Sequence, residues 1–106
     1  MANIAENKFL LSFGEKCTEK DKEFVRNKIK EVFDDILEGE IFYDECDVIE
    51  GFFDSSWAFP EEIWEEILKD KPIYFRCLTE EYGQGLVSMN IHYEDGLWRE
   101  PQYFDL

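Results

Sequence analysis

An α+β sandwich, two helices packed on one face of a mostly antiparallel sheet of four to five strands, is the fold this sequence predicts. Three observations predict it. Apolar residues recur at helical spacing over about residues 18 to 38 and again after Pro60. Between and beyond these stretches lie short runs rich in aromatic and β-branched residues, bounded by Gly, Pro and Asp. At 106 residues with 44% hydrophobic side chains, the chain is long enough to bury one core and reads as a single domain over 1–106.

The elements follow in order. Lys8-Phe9-Leu10-Leu11-Ser12-Phe13 reads as a first strand that stops at Gly14. Thr18-Glu19-Lys20-Asp21 then starts a helix, with Thr18 as N-cap and an acid three residues on. Phe24, Val25, Ile29, Val32, Phe33, Ile36 and Leu37 form its apolar stripe, and Gly39 stands where a helix C-terminus favours glycine. Residues 40 to 54 are strand-like. The acidic piece Asp44-Glu45-Cys46-Asp47 fits either a turn between two short strands or a bulge in one long strand.

Trp57, Phe59 and Pro60 read as a packing corner that launches the second helix, with Pro60 in its first turn and Glu61 and Glu62 near its positive end. Ile63, Trp64, Ile67 and Leu68 make its apolar face and place Trp64 in the core. Lys69 and Lys71 suit the negative end, and Pro72 stops it. Burial of Trp57 predicts that Trp57→Ala costs about 3–5 kcal/mol. Ile73-Tyr74-Phe75-Arg76-Cys77-Leu78-Thr79 is strand-like, the Gly83-Gln84-Gly85 region turns the chain into Leu86 to Tyr93, and Asp95-Gly96 closes a hairpin before Leu97-Trp98-Arg99.

Composition narrows the class. No apolar run approaches the length needed to cross a bilayer, and the N-terminus lacks a charged-then-apolar signal pattern, so a cytoplasmic protein is expected. Cys17, Cys46 and Cys77 are odd in number and in no CxxC arrangement, which argues against a disulfide framework and against zinc. Cys77 lies in an apolar alternation and reads as a small buried residue. The net charge of −15 is unevenly spread: residues 1–30 carry +2 and residues 31–106 carry −17. Such a field repels nucleic acid and anionic membranes and attracts cationic partners.

Catalytic signatures are missing from the sequence. His92 is the sole histidine, and an exposed strand position is the simplest expectation for it. Ser55 and Ser56 lack the Gly-x-Ser-x-Gly turn of a hydrolase and fit better as residues that close the strand or cap the Pro60 helix. Gly83-x-Gly85 follows acids, the wrong setting for phosphate. The acidic residues lack the spacing of a calcium loop. A non-catalytic protein without cofactor or metal is therefore expected.

A strand ending in Phe-x-Ser-Ser-Trp-x-x-Pro, a short helix, Pro72, a strand, Glu80-Glu81-Tyr82-Gly83 and a hairpin at Asp95-Gly96 together resemble the YubB-type ferredoxin-like domain, a family of small plasmid and phage proteins. The resemblance covers about residues 48 to 98 and is anchored on Trp57, Pro60, Pro72, Glu81 and Gly83. It implies a ferredoxin-like sandwich and a mobile-element origin, and brings no chemistry with it. The segment Tyr43-Asp44-Glu45-Cys46-Asp47 departs from the family, whose preceding strand tends to carry its own Trp-containing segment.

The acids themselves carry the functional expectation. Glu61, Glu62, Glu65 and Glu66 recur at helical spacing, and like charges four residues apart cost a few tenths of a kcal/mol per pair. Asp34, Asp35 and Glu38 crowd the end of the first helix, where the macrodipole disfavours anions. With Asp44, Glu45 and Asp47 they form a candidate partner-binding set that selection for stability alone does not explain. Their expected partner is the basic surface of a nucleic-acid-binding host protein, a CRISPR effector with its PAM-reading groove or another nuclease, engaged by DNA mimicry. Tyr43 or Tyr103 are candidates for the core of that interface. The alternative is an interaction module that binds a host protein or self-associates through an apolar aromatic surface, with Trp98, Tyr103 and Phe104 as candidates.

Overall fold

The computed structural model describes residues 3–105. Along the chain these form β1 (Ile4–Phe13), α1 (Glu19–Asp35), β2 (Gly39–Glu45), β3 (Val48–Ser56), α2 (Glu61–Leu68), β4 (Ile73–Glu81), β5 (Leu86–His92) and β6 (Gln102–Asp105). One antiparallel sheet runs in the order β2-β3-β1-β4-β5-β6. The α+β expectation holds, but the described residues give six strands instead of four to five. β6 is the added strand, and all four of its residues are exposed, so no half-buried alternation announces it.

Each helix joins two strands that share one antiparallel neighbour. β1 and β2 flank β3, and β3 and β4 flank β1. This order is compatible with a ferredoxin-like sandwich extended at its β4 edge. Both helices cover the face bearing Phe9, Leu11, Ile49, Phe53, Ile73, Phe75 and Cys77, all buried. The aromatic centre is Trp64, with its ring 4.5 Å from Phe75, 5.2 Å from Phe9 and 5.6 Å from Phe53. Burying such rings in edge and tilted contact dominates the hydrophobic gain.

α1 begins as its capping box predicts, with Thr18 Oγ1 accepting from Asp21 N–H and the Asp21 carboxylate accepting from Thr18 N–H. It ends at Asp35, earlier than the sequence predicts. Gly39 is not its cap. It opens β2 opposite Phe53, where a Cβ would meet the Phe33 ring and Phe53 Cβ at 2.9 Å. The acidic segment resolves as a turn: Cys46 and Asp47 have φ of 50° and 64°, the left-handed pair of a two-residue hairpin. β2 also carries a register shift between Ile41 and Tyr43.

α2 starts at Glu61 with Pro60 as its N-cap, and Lys69 is its C-cap residue. Lys71 serves α1 instead, its Nζ lying 4.3 Å from the Phe24 ring centre. At the corner before α2, Phe59 and Trp64 are buried as expected, but Trp57 is not: it is 50% exposed, with φ of 70°. Backbone geometry and Ser55 hold the corner in its place. Trp57 N–H donates to Asn3 O (2.8 Å) and Ser55 Oγ donates to Ala58 O (2.6 Å), while the left-handed turn sends the indole outward. Ser55 therefore closes the strand and makes no helix cap.

His92 is a second correction. It is fully buried, and Nδ1 lies 2.8 Å from Ile73 O; a carbonyl only accepts, so Nδ1 carries the proton. The reason is the phase of β5, which turns Asn90 and His92 toward the helices and Val87, Met89 and Ile91 toward the open face. Among the described residues no helix is long and apolar enough to cross a membrane.

Candidate functional site

Topology divides the predicted acidic set in two. α1 leaves the end of β1 and α2 leaves the end of β3, and these strands are antiparallel, so the helices run in opposite directions. The C-terminal end of α1, with Asp34, Asp35 and the following Glu38, therefore lies at the same end of the sheet as Glu61 and Glu62. One groove between the helices is lined by Lys28, Glu31, Val32 and Asp35 of α1, by Ile36 just beyond it, and by Ile63, Glu66 and Ile67 of α2, so Glu66 and Asp35 share it with the Lys28 ammonium. Asp34, Asp35, Glu38, Glu61, Glu62 and Glu66 are all exposed, and among the described residues none of them pairs with a Lys or Arg.

Asp44, Glu45 and Asp47 lie at the opposite end, on the β2–β3 hairpin. This hairpin is strapped to the first half of α1. Arg26 Nη2 donates to Asp44 Oδ1 (3.0 Å), Arg26 Nε to Asp44 Oδ2 (3.3 Å), and Lys22 Nζ lies 3.1 Å from Asp47 Oδ1. The Asp47 partnership raises the Lys22 ammonium above its ordinary pKa, the hydrogen bond contributing most. Two of these three acids, Asp44 and Asp47, are thus partly neutralised within the chain, while Glu45 has no ion-pair partner among the described residues.

Glu65 points elsewhere. It accepts the Trp98 indole N–H, which brings the segment after β5 against α2. The contact forms one wall of an open cleft of about 370 Å³, lined by Phe59, Glu61, Glu62, Glu65, Asn90, Trp98 and Arg99. Trp98 meets Phe59 edge-on at 5.9 Å and His92 at 5.1 Å. The hairpin positions it: Tyr93 N–H donates to Leu97 O (3.0 Å), Leu97 N–H to Asp95 Oδ1 (3.0 Å), and Arg99 N–H to Ile91 O (2.9 Å). Arg99 itself is held by Asp95, whose carboxyl the guanidinium keeps below its usual range.

The remaining polar clusters have structural roles. Asn7 is buried and joins three strands: its Nδ2 donates to Phe53 O (3.2 Å) and Ser55 Oγ (2.9 Å), and its Oδ1 accepts from Thr79 Oγ1 (2.6 Å). Glu81 is also buried, and its two oxygens accept from Gly83 and Gln84 N–H at 2.8 Å, fixing the β4–β5 turn. Cys77 is buried as expected, which pushes its thiol up to about 12.

The open face of the sheet was not foreseen as a surface. Phe42 and Phe52 stack there at 6.2 Å, and both are about half exposed, as is Phe104 on β6. Charged neighbours Lys8, Glu50 and Arg76 interrupt the apolar area between Leu10, Leu78 and Met89. Tyr103 and Phe104 are exposed and Trp98 is half-buried, so the C-terminal aromatics do not all fit inside.

No protein-family model matches this chain, and neither a curated protein nor a solved structure matches it.

Proposed function

We propose that this chain is a non-catalytic, acidic inhibitor from a phage or plasmid that occupies the basic nucleic-acid groove of a host nuclease complex, an anti-CRISPR or related anti-defence protein. One observation carries the reading: Asp34, Asp35 and Glu38 at the end of α1 share one end of the sheet with Glu61 and Glu62 at the start of α2, and among the described residues neither these nor Glu66 form an ion pair. Duplex DNA bears one negative charge per roughly 1.7 Å of axis, and carboxylates on two adjacent helix ends approximate part of such a row. A net charge of −15 adds long-range steering toward a basic surface. The resemblance of residues 48 to 98 to YubB-type domains suggests the mobile-element origin and, with it, action in the host cytoplasm; the strand order is compatible with the ferredoxin-like sandwich that this resemblance implies.

Capture from a bacterial lysate at low and high salt, with duplex DNA as competitor, tests this reading. A nucleic-acid enzyme retained at low salt, released at high salt and displaced by DNA supports it. A partner retained through high salt and indifferent to DNA removes it.

A second reading has its own observation. The half-exposed Phe42, Phe52 and Phe104 on the open sheet face fit an interaction module that binds a host protein or a second copy of this chain through apolar contact. That surface predicts weak salt dependence, and Phe52→Glu would abolish it.

A further inference from the structure

The geometry points to the cleft at the head of α2 as a guanidinium-binding site that takes one arginine side chain from the partner's basic surface. This deepens the mimicry reading and rests on it for the source of the arginine, though not for the cleft.

Its size of about 370 Å³ is near the small end of ligand sites, suited to one side chain. Phe59 and Trp98 supply aromatic walls, and a guanidinium stacks on such rings more readily than an ammonium does. Glu61 and Glu62 stand at the rim with no cation of their own. Glu65 is held in place by the Trp98 indole, which leaves its second oxygen unused.

Asn90 is the independent sign of a ligand. It is 5% exposed, sits on the helix-facing side of β5 and lines the cleft, and its amide makes no hydrogen bond to another described residue. The amide opens onto the cleft, so a ligand seated there can pair with it in place of water. A guanidinium offers five N–H donors in a plane, enough to reach Asn90 Oδ1 and the rim carboxylates while lying against Trp98.

Arg99, the basic residue lining the cleft, does not fill this role. Asp95 Oδ2 accepts from its Nη2 at 2.8 Å, Leu97 O accepts from Nη1 at 3.3 Å, and its guanidinium lies 4.3 Å from the Tyr93 ring centre. Three carboxylates disfavour an anion. Among the described residues no group of three His, Cys, Asp or Glu is arranged to hold a metal, which leaves an organic cation as the fitting ligand.

The test titrates the full chain with N-acetyl-arginine methylamide while following the Trp98 indole N–H by NMR, with the citrulline and lysine counterparts in parallel. The expected result is a saturable shift with arginine, and binding at least about tenfold weaker for both counterparts. Glu61→Gln combined with Glu62→Gln should weaken arginine by a similar factor at an unchanged melting temperature, and Asn90→Ser should weaken it further. No saturable shift, or citrulline binding as tightly as arginine, overturns the inference, as does lysine binding equally well. Arginine binding by a chain that holds its partner through high salt would keep the cleft and remove the mimicry reading. The two failures are therefore distinguishable.

Discussion

Trp98 donates its indole N–H to the Glu65 carboxylate, joining a loop and a helix that lie 33 residues apart in the chain. This contact walls one side of the cleft and sets the Trp98 ring against His92 and Phe75. Trp98→Phe keeps the aromatic packing and drops the donor, so it should cost about 1 kcal/mol in urea unfolding. Trp98→Ala also opens the edge of the core and should cost about 2–4 kcal/mol. Equal costs for the two variants would remove the hydrogen bond from the account.

The two tryptophans flanking Pro60 should behave oppositely. Trp64→Ala removes the centre of the aromatic core and should cost about 3–5 kcal/mol. Trp57→Ala should cost about 1 kcal/mol or less, because half of the side chain is already in solvent. Trp57→Gly should be at least as stable as Trp57→Ala, since φ of 70° suits glycine and strains alanine. Chemical denaturation of the three variants checks the order.

The three thiols should separate cleanly. Cys46 is exposed in the hairpin turn and should react first with a thiol reagent. Cys17 is half-buried, and burial raises its pKa, so it should react more slowly; Cys77 should react only on unfolding.

Alkaline pH gives an independent check on Cys77. Its pKa rises from 9.0 in the unfolded chain to about 12 when folded. Below pH 9 both states hold the proton and stability is unaffected. Above it the unfolded chain releases the proton first, so stability should fall by up to about 1.4 kcal/mol per pH unit. Cys77→Ala should be less steep than wild type over that window in urea midpoints measured from pH 8 upward. Identical slopes would contradict the burial.

Much of the fold was legible in the sequence. Val25, Ile29 and Val32 of α1 and Trp64, Ile67 and Leu68 of α2 are buried where helical periodicity puts them. Where the reading failed, the missing information was tertiary. Period-2 alternation in β5 does not say which face the helices cover, and Asn90 and His92 are inside while Val87, Met89 and Ile91 face out. Trp57 carries the size of a core residue, but one left-handed φ turns it outward. Exposed β6 has no pattern to find.

The candidate site was legible as composition, not as place. Acids at the end of α1 and the start of α2 share one end of the sheet only because the helices run antiparallel, and Asp44 and Asp47 of the hairpin are taken up by Arg26 and Lys22. Asn90 and Trp98 reach α2 from the far side of the sequence, so the cleft has no local motif.

The acidic end shared by α1 and α2 is the proposed binding surface for a basic partner. The most direct measurement compares wild type with Glu62→Lys combined with Glu66→Lys, in the same low-salt capture from lysate. Both substitutions are exposed, so circular dichroism and melting should be unchanged, while retention of the nucleic-acid enzyme should be lost. Full retention by the folded, charge-reversed protein would contradict the claim and place the interface elsewhere on the molecule.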